Sequence, residues 1–177
     1  MVKFPELSIM PTAAAPFVLH LPSPLGTLRL TANDTQLVSV SFPENEQKTD
    51  SDVIPAILRE AEAQLNAYFA GERSTFDLPL QPQGTAFQQQ VWQALQQIPM
   101  GKTDTYLGLA KRFENPGAVR AVGVANGANP WLVIVPCHRV IGGKGELVGY
   151  AGGLWRKKWL LEHEAKLSGV YQTALEF

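Results

Sequence analysis

Short apolar runs alternate with turn-forming residues over the first 45 positions of the chain. Residues Phe17–Leu21, 27–32 and 37–42 are rich in apolar and β-branched side chains, and the segments 23–26 (Ser-Pro-Leu-Gly) and 33–35 (Asn-Asp-Thr) separate them. Runs of this kind predict β-strands. Because the connections are short and rich in turn residues, the three strands are expected to form an antiparallel meander.

A helix is expected to follow these strands. From Ile54 to Phe69, apolar side chains recur at intervals of three or four residues, which places them on one face of a helix. Ser51 or Asp52 would suit its N-cap, and Gly71 would suit its C-terminal end.

The helical period continues in the second half of the chain. Thr85 followed by Gln88 is a capping-box pattern, and it begins a glutamine-rich helix that is expected to stop at Pro99. Two short helical segments, 105–113 and 117–126, flank an Asn-Pro-Gly turn and form a helix-turn-helix pattern. The remaining predicted elements are a buried strand or extended segment at 131–135, a hairpin arm at 147–150 and an amphipathic helix at 154–167.

These elements predict an α+β protein. We expect residues 1–80 to form a small antiparallel-sheet-plus-helix domain that ends in an extended linker. Residues 81–177 are expected to form a mainly helical, winged-helix-like helix-turn-helix domain. The length of 177 residues suits one large domain or two small ones, and 15 glycines with 13 prolines are too few for a disordered, low-complexity chain.

The composition excludes several classes of protein. No apolar run approaches the roughly 20 residues that a membrane-spanning helix needs, and the N-terminal segment lacks the apolar stretch of a secretory signal. A single cysteine excludes an internal disulfide and a thiolate zinc cage, and three scattered histidines cannot replace one. We therefore expect a cytoplasmic protein with no membrane segment, no metal site and no cofactor.

The small net charge of −1 hides an asymmetry between the two halves. Residues 1–100 carry a net charge of −5, whereas residues 101–177 carry +4. A basic second half is compatible with binding to an anion such as nucleic acid, although random surface charge explains the difference equally well.

The single cysteine, Cys137, has neighbours that suit a reactive thiol. A lone cysteine in a reduced protein is most often a small buried hydrophobic residue. Here His138 and Arg139 follow it, and basic or proton-accepting neighbours lower the pKa of a thiol. A histidine that accepts the thiol proton needs a third group to orient it, and His163 and Glu164 on the last helix are the candidates. The residues alone leave both interpretations open.

Residues 136–140 read Pro-Cys-His-Arg-Val, and at this point the sequence resembles a known family. The O6-alkylguanine-DNA alkyltransferases, also called methylated-DNA–protein-cysteine methyltransferases, carry this sequence as their active-site signature. Further similar motifs occur in the same order over residues 85–165. They are Arg-Ala-Val-Gly at 120–123, Asn-Pro at 129–130, Gly-Tyr at 149–150, Gly-Gly-Leu at 152–154 and Trp-Leu-Leu with His-Glu at 159–164.

The resemblance implies a set of catalytic residues. Cys137 would be the nucleophile that attacks the alkyl carbon, and His138 would accept the thiol proton through a water molecule. Glu164 would hold the imidazole in its useful tautomer. Tyr106 would donate a hydrogen bond or a proton to the departing guanine, and Asn129 would tie the recognition helix to the active-site segment.

The resemblance also implies a way of binding DNA. Arg120 would act as an arginine finger that fills the stack after the target nucleotide is flipped out. The small residues Ala118, Ala121 and Gly123 would let the second helix of the helix-turn-helix approach the minor groove closely.

Three further residues would belong to the substrate loop. Tyr150 would form a wall of the guanine pocket, with Ala151 and Gly152 in the loop beside it. Ala151 occupies a position where some relatives have serine, so that only a backbone contact to the base is expected there.

The implied function is direct repair of duplex DNA that contains O6-alkylguanine, and of O4-alkylthymine. Each molecule would react once, as a monomer that can cluster on DNA. Three alternatives stay open: a lesion-binding protein that does not transfer the alkyl group, a cysteine hydrolase, and a transcription regulator. The first is disfavoured by Cys137, the second by the lack of any hydrolase signature beside Cys137, and the third by a second helix whose only charged residue is Arg120.

Overall fold

The computed structural model describes residues 16–45 and 48–169. Its strands are β1 (Phe17–Leu21), β2 (Leu28–Ala32), β3 (Leu37–Ser41), β4 (Asp104–Thr105) and β5 (Val140–Ile141). Its α-helices are α1 (Ala56–Phe69), α2 (Ala86–Gln96), α3 (Tyr106–Arg112), α4 (Val119–Gly127) and α5 (Leu154–Ser168). Two 3₁₀ helices cover Pro116–Ala118 and Cys137–Arg139.

The first three strands form the predicted antiparallel meander, in the order β1-β2-β3. Leu30 in the central strand pairs with Leu19 on one side and with Val40 on the other. All three side chains are buried, because residues directly opposite each other in paired strands point to the same face of the sheet. Helix α1 packs its apolar face against this sheet. The α+β architecture expected for the first half is therefore confirmed.

Helix α1 begins later than predicted. Pro55 occupies its N-cap with extended backbone (φ −66°, ψ 159°), and no side chain caps the helix. Neither Ser51 nor Asp52 caps it, so that prediction is wrong. The Ser51 hydroxyl instead accepts a hydrogen bond from the backbone N–H of Val18 at 2.8 Å, which ties this segment to the edge of the sheet. Gly71 follows the helix with φ +80°, as expected for a residue that ends a helix.

The helices of the second half match the predicted pattern. The Thr85 hydroxyl accepts a hydrogen bond from Gln88 N at 3.2 Å, and the Gln88 side chain accepts one from Thr85 N at 2.9 Å, which completes the capping box at α2. Helices α3 and α4 contact each other across the short 3₁₀ helix, so the helix-turn-helix is present. Its second helix begins at Val119.

Residues 131–135 do not form a strand, although they are buried as predicted. Trp131 makes a single bridge to Val40, and the chain then turns, with Val133 at φ +73°. The turn closes when Val135 N donates to Trp131 O at 2.9 Å. The Asn129 side chain donates to Val135 O at 2.8 Å, which stabilises this turn over an extended segment.

The predicted hairpin arm at 147–150 is also absent. The carbonyl groups of Val148 and Gly149 accept hydrogen bonds from Lys157 on α5, so they are not free to pair with a neighbouring strand. The short strand β5 pairs in parallel with β4.

Apolar residues from both halves of the chain form one continuous core. Trp131 extends it to the sheet, because its indole N–H donates to Leu37 O at 3.1 Å. On the other side, the indole N–H of Trp92 donates to Ala125 O in α4 at 2.9 Å. Among the described residues, no helix is long and apolar enough to cross a membrane.

Candidate active site

Cys137 lies at the start of a tight turn in the core and is only 2% exposed. Its backbone N–H donates to Val135 O at 2.8 Å, and Asn129 donates to the same carbonyl group from the end of α4. Asn129, two residues past the end of α4, therefore joins that helix to the turn that carries the thiol.

Burial raises the pKa of the Cys137 thiol to about 11, although Asn129 and Lys157 act in the opposite direction. The net shift is therefore opposite to the one that basic or proton-accepting neighbours alone would produce. Removal of the thiolate from water outweighs the favourable contacts, because a charge is poorly stabilised in an apolar interior. The thiol is consequently protonated at neutral pH.

His138, the next residue, is completely buried. Its Nε2 atom lies 2.8 Å from Glu164 Oε1. Because an ionised carboxylate can only accept, Nε2 carries the proton and Nδ1 has a free lone pair. Nδ1 is buried and has no hydrogen-bond partner within the described part of the chain. Burial lowers the pKa of His138 and Glu164 opposes this shift, so the ring is a neutral base with an open acceptor.

The Glu164 carboxylate is buried and fully hydrogen-bonded. Arg139 Nε donates to Oε2 at 2.8 Å, while Arg139 Nη2 and the Tyr68 hydroxyl donate to Oε1 at 2.9 and 2.7 Å. Burial favours protonation of the carboxyl group, but His138 and Arg139 more than offset it and hold the pKa of Glu164 well below its usual range. Glu164 is thus an anion that can orient the imidazole.

The second orienting candidate, His163, does not take that role. Its Nε2 atom lies 2.9 Å from Tyr68 O, and its ring stacks on Trp159 at 4.8 Å between centroids. Of the two candidates on α5, Glu164 is the one that the structure brings to His138.

A pocket of about 100 Å³ opens onto the thiol. The Tyr106 hydroxyl at its edge donates to Val148 O at 2.9 Å. Gly123 lies against the pocket, because a Cβ added there would stand 3.8 Å from the Tyr106 ring. The residues that line the pocket are Tyr106, Gly123, Asn126, Gly127, Cys137, Gly149, Tyr150 and Ala151.

The loop over this pocket needs glycine at position 152. A Cβ added to Gly152 would lie 2.6 Å from Tyr150 Cε1 and 3.0 Å from Phe42 Cδ2. The loop can therefore pack this closely only without a side chain. Ala151 beside it is exposed, and the Tyr150 ring stands edge-on to His138 at 6.4 Å.

Sequence reasoning missed Lys157, which is completely buried behind the loop. Its Nζ atom donates to the carbonyl groups of Val140, Val148 and Gly149 at 2.6, 2.9 and 3.1 Å. Burial lowers the pKa of Lys157 to about 8, and Cys137 acts in the opposite direction. The lysine thus connects the active-site segment to the pocket loop.

Asn126 on α4 was also missed. It is buried, and its Nδ2 atom lies 3.5 Å from Cys137 O. Its Oδ1 atom has no hydrogen-bond partner among the described residues, although it belongs to a residue that lines the pocket. The sequence contained one indication of this role, because Asn126 is a polar residue near the C-terminal end of a helix made mostly of small and apolar residues.

The outer face of α4 is exposed and contains small or apolar residues around one charge. Arg120, Ala121 and Val124 are exposed, while Ala118 lies half-buried in the preceding 3₁₀ helix. Arg120 is the only charged residue of α4. Among the described residues, no group of histidine, cysteine or acidic side chains could hold a metal ion.

A helix-turn-helix whose second helix borders a pocket onto a buried cysteine, with a histidine–carboxylate pair next to that cysteine, combines features of a DNA-binding protein with those of a cysteine enzyme. Two family models match this chain. The 6-O-methylguanine DNA methyltransferase DNA binding domain matches residues 86–166, and the ribonuclease-like domain of the same enzymes matches residues 20–82.

The chain belongs to the methylated-DNA–protein-cysteine methyltransferase family and is a DNA repair methyltransferase. It is 48% identical over 149 residues to the enzyme of that name from Methanosarcina acetivorans, covering 80% of this chain and 94% of the relative. The Mycobacterium tuberculosis enzyme is 48% identical over 145 residues, covering 80% and 88%. The crystal structure of Mycobacterium tuberculosis OGT in complex with DNA superposes with a TM-score of 0.76 at 45% identity, covering 85% of this chain and 93% of that one. The resemblance to this family, first seen in the motif at residues 136–140, is therefore confirmed.

Proposed function

We propose that this protein transfers the alkyl group of O6-alkylguanine, and of O4-alkylthymine, from duplex DNA to Cys137. The observation that carries the proposal is a buried thiol that lines a pocket and is followed by His138, whose Nδ1 atom has no hydrogen-bond partner among the residues that the structure describes. In the step itself, the Cys137 sulfur forms a bond to the alkyl carbon while the bond from that carbon to O6 breaks. The bonding pair leaves with the base, which becomes neutral guanine when it gains a proton.

The thiol proton passes to His138, through a water molecule. Because the pKa of the Cys137 thiol is about 11, little thiolate exists at neutral pH before substrate arrives. A base must therefore take the proton as the sulfur attacks. The open Nδ1 of His138 supports this role, and the Glu164 anion at Nε2 stabilises the imidazolium that results.

Tyr106 supplies the proton or hydrogen bond to the leaving guanine. Burial, with a contribution from Cys137, raises the pKa of its phenol, so it is a protonated donor at neutral pH. Its hydroxyl donates to Val148 O in the structure, and the same donor would turn to O6 of a bound base. A phenolate formed in this way would recover its proton from solvent.

The target base must leave the duplex to reach a pocket this deeply placed, at a cost of a few kcal/mol. We propose that Arg120 fills the vacated stack, and that the small residues Ala118 and Ala121 bring α4 close to the minor groove. Recognition through the minor groove depends little on the base sequence, which suits a protein that must inspect every position of the DNA. The basic second half would add attraction to phosphates.

The product is a thioether at Cys137, and the described part of the chain offers no group that would cleave it. Each molecule is therefore proposed to act once, without a cofactor, as a cytoplasmic monomer that can cluster on DNA.

The test uses duplexes that contain one O6-methylguanine, O6-benzylguanine or O4-methylthymine, with the unmodified duplex as control. Intact-protein mass should rise by one methyl or one benzyl group, with one equivalent transferred per protein and the adduct on the peptide that contains Cys137. An unchanged mass with the O6-alkylguanine duplexes would contradict transfer, and would favour a lesion-binding protein.

A further inference from the structure

Tyr68 brings the first half of the chain into contact with the active site. It lies on α1, is completely buried, and donates its hydroxyl hydrogen to Glu164 Oε1 at 2.7 Å across 96 positions of sequence. Its ring packs against Phe76 and His163 at centroid distances of 5.3 and 5.4 Å. His163 also donates to its backbone carbonyl group, so both the backbone and the side chain of Tyr68 are held.

The two oxygens of Glu164 have different surroundings. Oε2 accepts from Arg139 Nε, whereas Oε1 accepts from Arg139 Nη2, from Tyr68 and from His138. The two parallel bonds from Arg139 are sufficient to fix the plane and direction of the carboxylate. What Tyr68 adds is a third donor on the same oxygen that the imidazole uses.

We propose that Tyr68 is a positioning residue that acts through Glu164, sharing the charge of Oε1 with His138 and so limiting how strongly the relay draws the proton from Cys137. This inference rests on the proposed function of the site. A donor on a carboxylate oxygen weakens it as an acceptor for a second donor, because both draw on the same electron density. A weaker acceptor stabilises the imidazolium less, which makes His138 a weaker base.

Several charged and titratable groups surround this relay. Tyr68 faces it from α1, Arg139 from the active-site turn, Tyr150 from the pocket loop, and Lys157 from α5. Burial raises the pKa of Tyr68, and the neighbouring Glu164 raises it further. Tyr68 is therefore a neutral donor throughout the working pH range, and its effect on Glu164 does not change as the other groups titrate.

The test replaces Tyr68 with phenylalanine, which removes the hydroxyl group and keeps the ring. We expect the Nε2–H proton signal of His138 to move downfield in NMR spectra, because its bond to Glu164 becomes stronger. Alkyl transfer to Cys137 from free O6-benzylguanine at pH 7 should be about threefold faster, which corresponds to about half a pKa unit of base strength. Gln64→Leu is the matched control. Gln64 is buried on the same helix, and its hydrogen bonds go to Glu60 and Asp77 rather than to Glu164, so neither readout should change.

The same substitution in a Glu164→Gln background separates this role from packing. If Tyr68 acts through the charge of the carboxylate, Tyr68→Phe should change the signal and the rate much less there, because a neutral amide oxygen has no anionic charge to share. Slower transfer in Tyr68→Phe, an Nε2–H signal that does not move, or an equal rate change in both backgrounds would each overturn the proposal. Absence of transfer in the unsubstituted protein would instead refute the proposed function, and the NMR comparison would still decide whether Tyr68 acts on His138.

Discussion

The buried site around Cys137 and the outer face of α4 are built in opposite ways. Cys137, His138 and Glu164 are all at most 2% exposed. Tyr68 on α1 and Arg139 on the active-site turn hold the Glu164 carboxylate of α5, and Asn129, just past α4, holds the segment that leads into Cys137. Arg120 and Ala121 on the outer face of α4 are exposed. The proposed relay residues are thus fixed by the packing of the fold, whereas the outer face of α4 is exposed.

Under the proposed function, this difference predicts that chemistry and DNA binding can be damaged separately. A change in the relay should alter the reaction of any alkylated guanine, free or in DNA. A change on the outer face of α4 should alter only the reaction with duplex DNA, because the free base needs no flipping. The predictions below test this separation, from the largest expected effect to the smallest.

Cys137→Ser should abolish alkyl transfer completely. A serine hydroxyl group is far less ionised and less nucleophilic than a thiol near neutral pH. Binding to alkylated duplex should remain, since the buried sulfur is not a phosphate contact. Intact-protein mass and a gel-shift titration measure the two properties. Transfer that persists in this variant, mapped by peptide mass spectrometry to another residue, would refute the assignment of the nucleophile.

Arg120→Ala should slow transfer from alkylated duplex by on the order of 100-fold, because flipping costs a few kcal/mol without a side chain to fill the stack. Transfer from free O6-benzylguanine should hardly change. Single-turnover rates on the two substrates give the comparison.

Two further variants separate the charge of Arg120 from its shape. Arg120→Lys should rescue poorly, since an ammonium group lacks the planar guanidinium that stacks on bases. Lys144→Ala removes the same charge from a turn outside α4 and should have little effect on the ratio of the two rates. Equal losses on duplex and free base in Arg120→Ala would return Arg120 to an ordinary structural role.

Glu164→Gln should slow transfer from both substrates by about tenfold at pH 6 and by less at pH 9. The amide cannot stabilise the imidazolium of His138 as the carboxylate does, so the relay weakens. At pH 9 more of the thiol ionises without the relay, and the variant recovers part of its rate. Glu162→Gln changes a half-exposed carboxylate on the same helix and serves as the control. A loss of rate that does not depend on pH would indicate structural damage.

Local patterns predicted the elements that local contacts build. The Thr85 capping box and the three strands required only neighbouring residues, and both were found. The strand expected at 131–135 failed because its buried, apolar composition fits a turn equally well, and the Asn129 side chain decides between them. The hydrophobic pattern of the sequence cannot reveal this side-chain contact.

The candidate site shows the same limit. The resemblance supplied Cys137, His138 and Glu164, but a lysine on an amphipathic helix is ordinarily a solvent-facing residue, so Lys157 was missed. Its burial depends on three carbonyl groups from other segments of the chain. Tyr68 lies within the helix predicted over residues 54–69, but its bond to Glu164 arises only when α1 and α5 meet.

The smallest expected effect is a difference in how stability depends on pH. Burial raises the pKa of the Cys137 thiol from 9.0 to about 11, so between these values the unfolded chain loses the proton while the folded chain keeps it. Stability from such a group is complete below the unfolded pKa and is lost as the pH rises through the folded value. Between pH 8 and pH 10, the free energy of unfolding of the unsubstituted protein should therefore fall by about 1 kcal/mol more than that of Cys137→Ser, as measured by urea unfolding. Arg120→Ala, altered on the exposed face of α4, should follow the unsubstituted protein. If the free energy of unfolding of Cys137→Ser falls by the same amount as that of the unsubstituted protein, the thiol is not desolvated in solution. Cys137 would then not be buried, and the contrast between a buried site and an exposed helix face would be wrong.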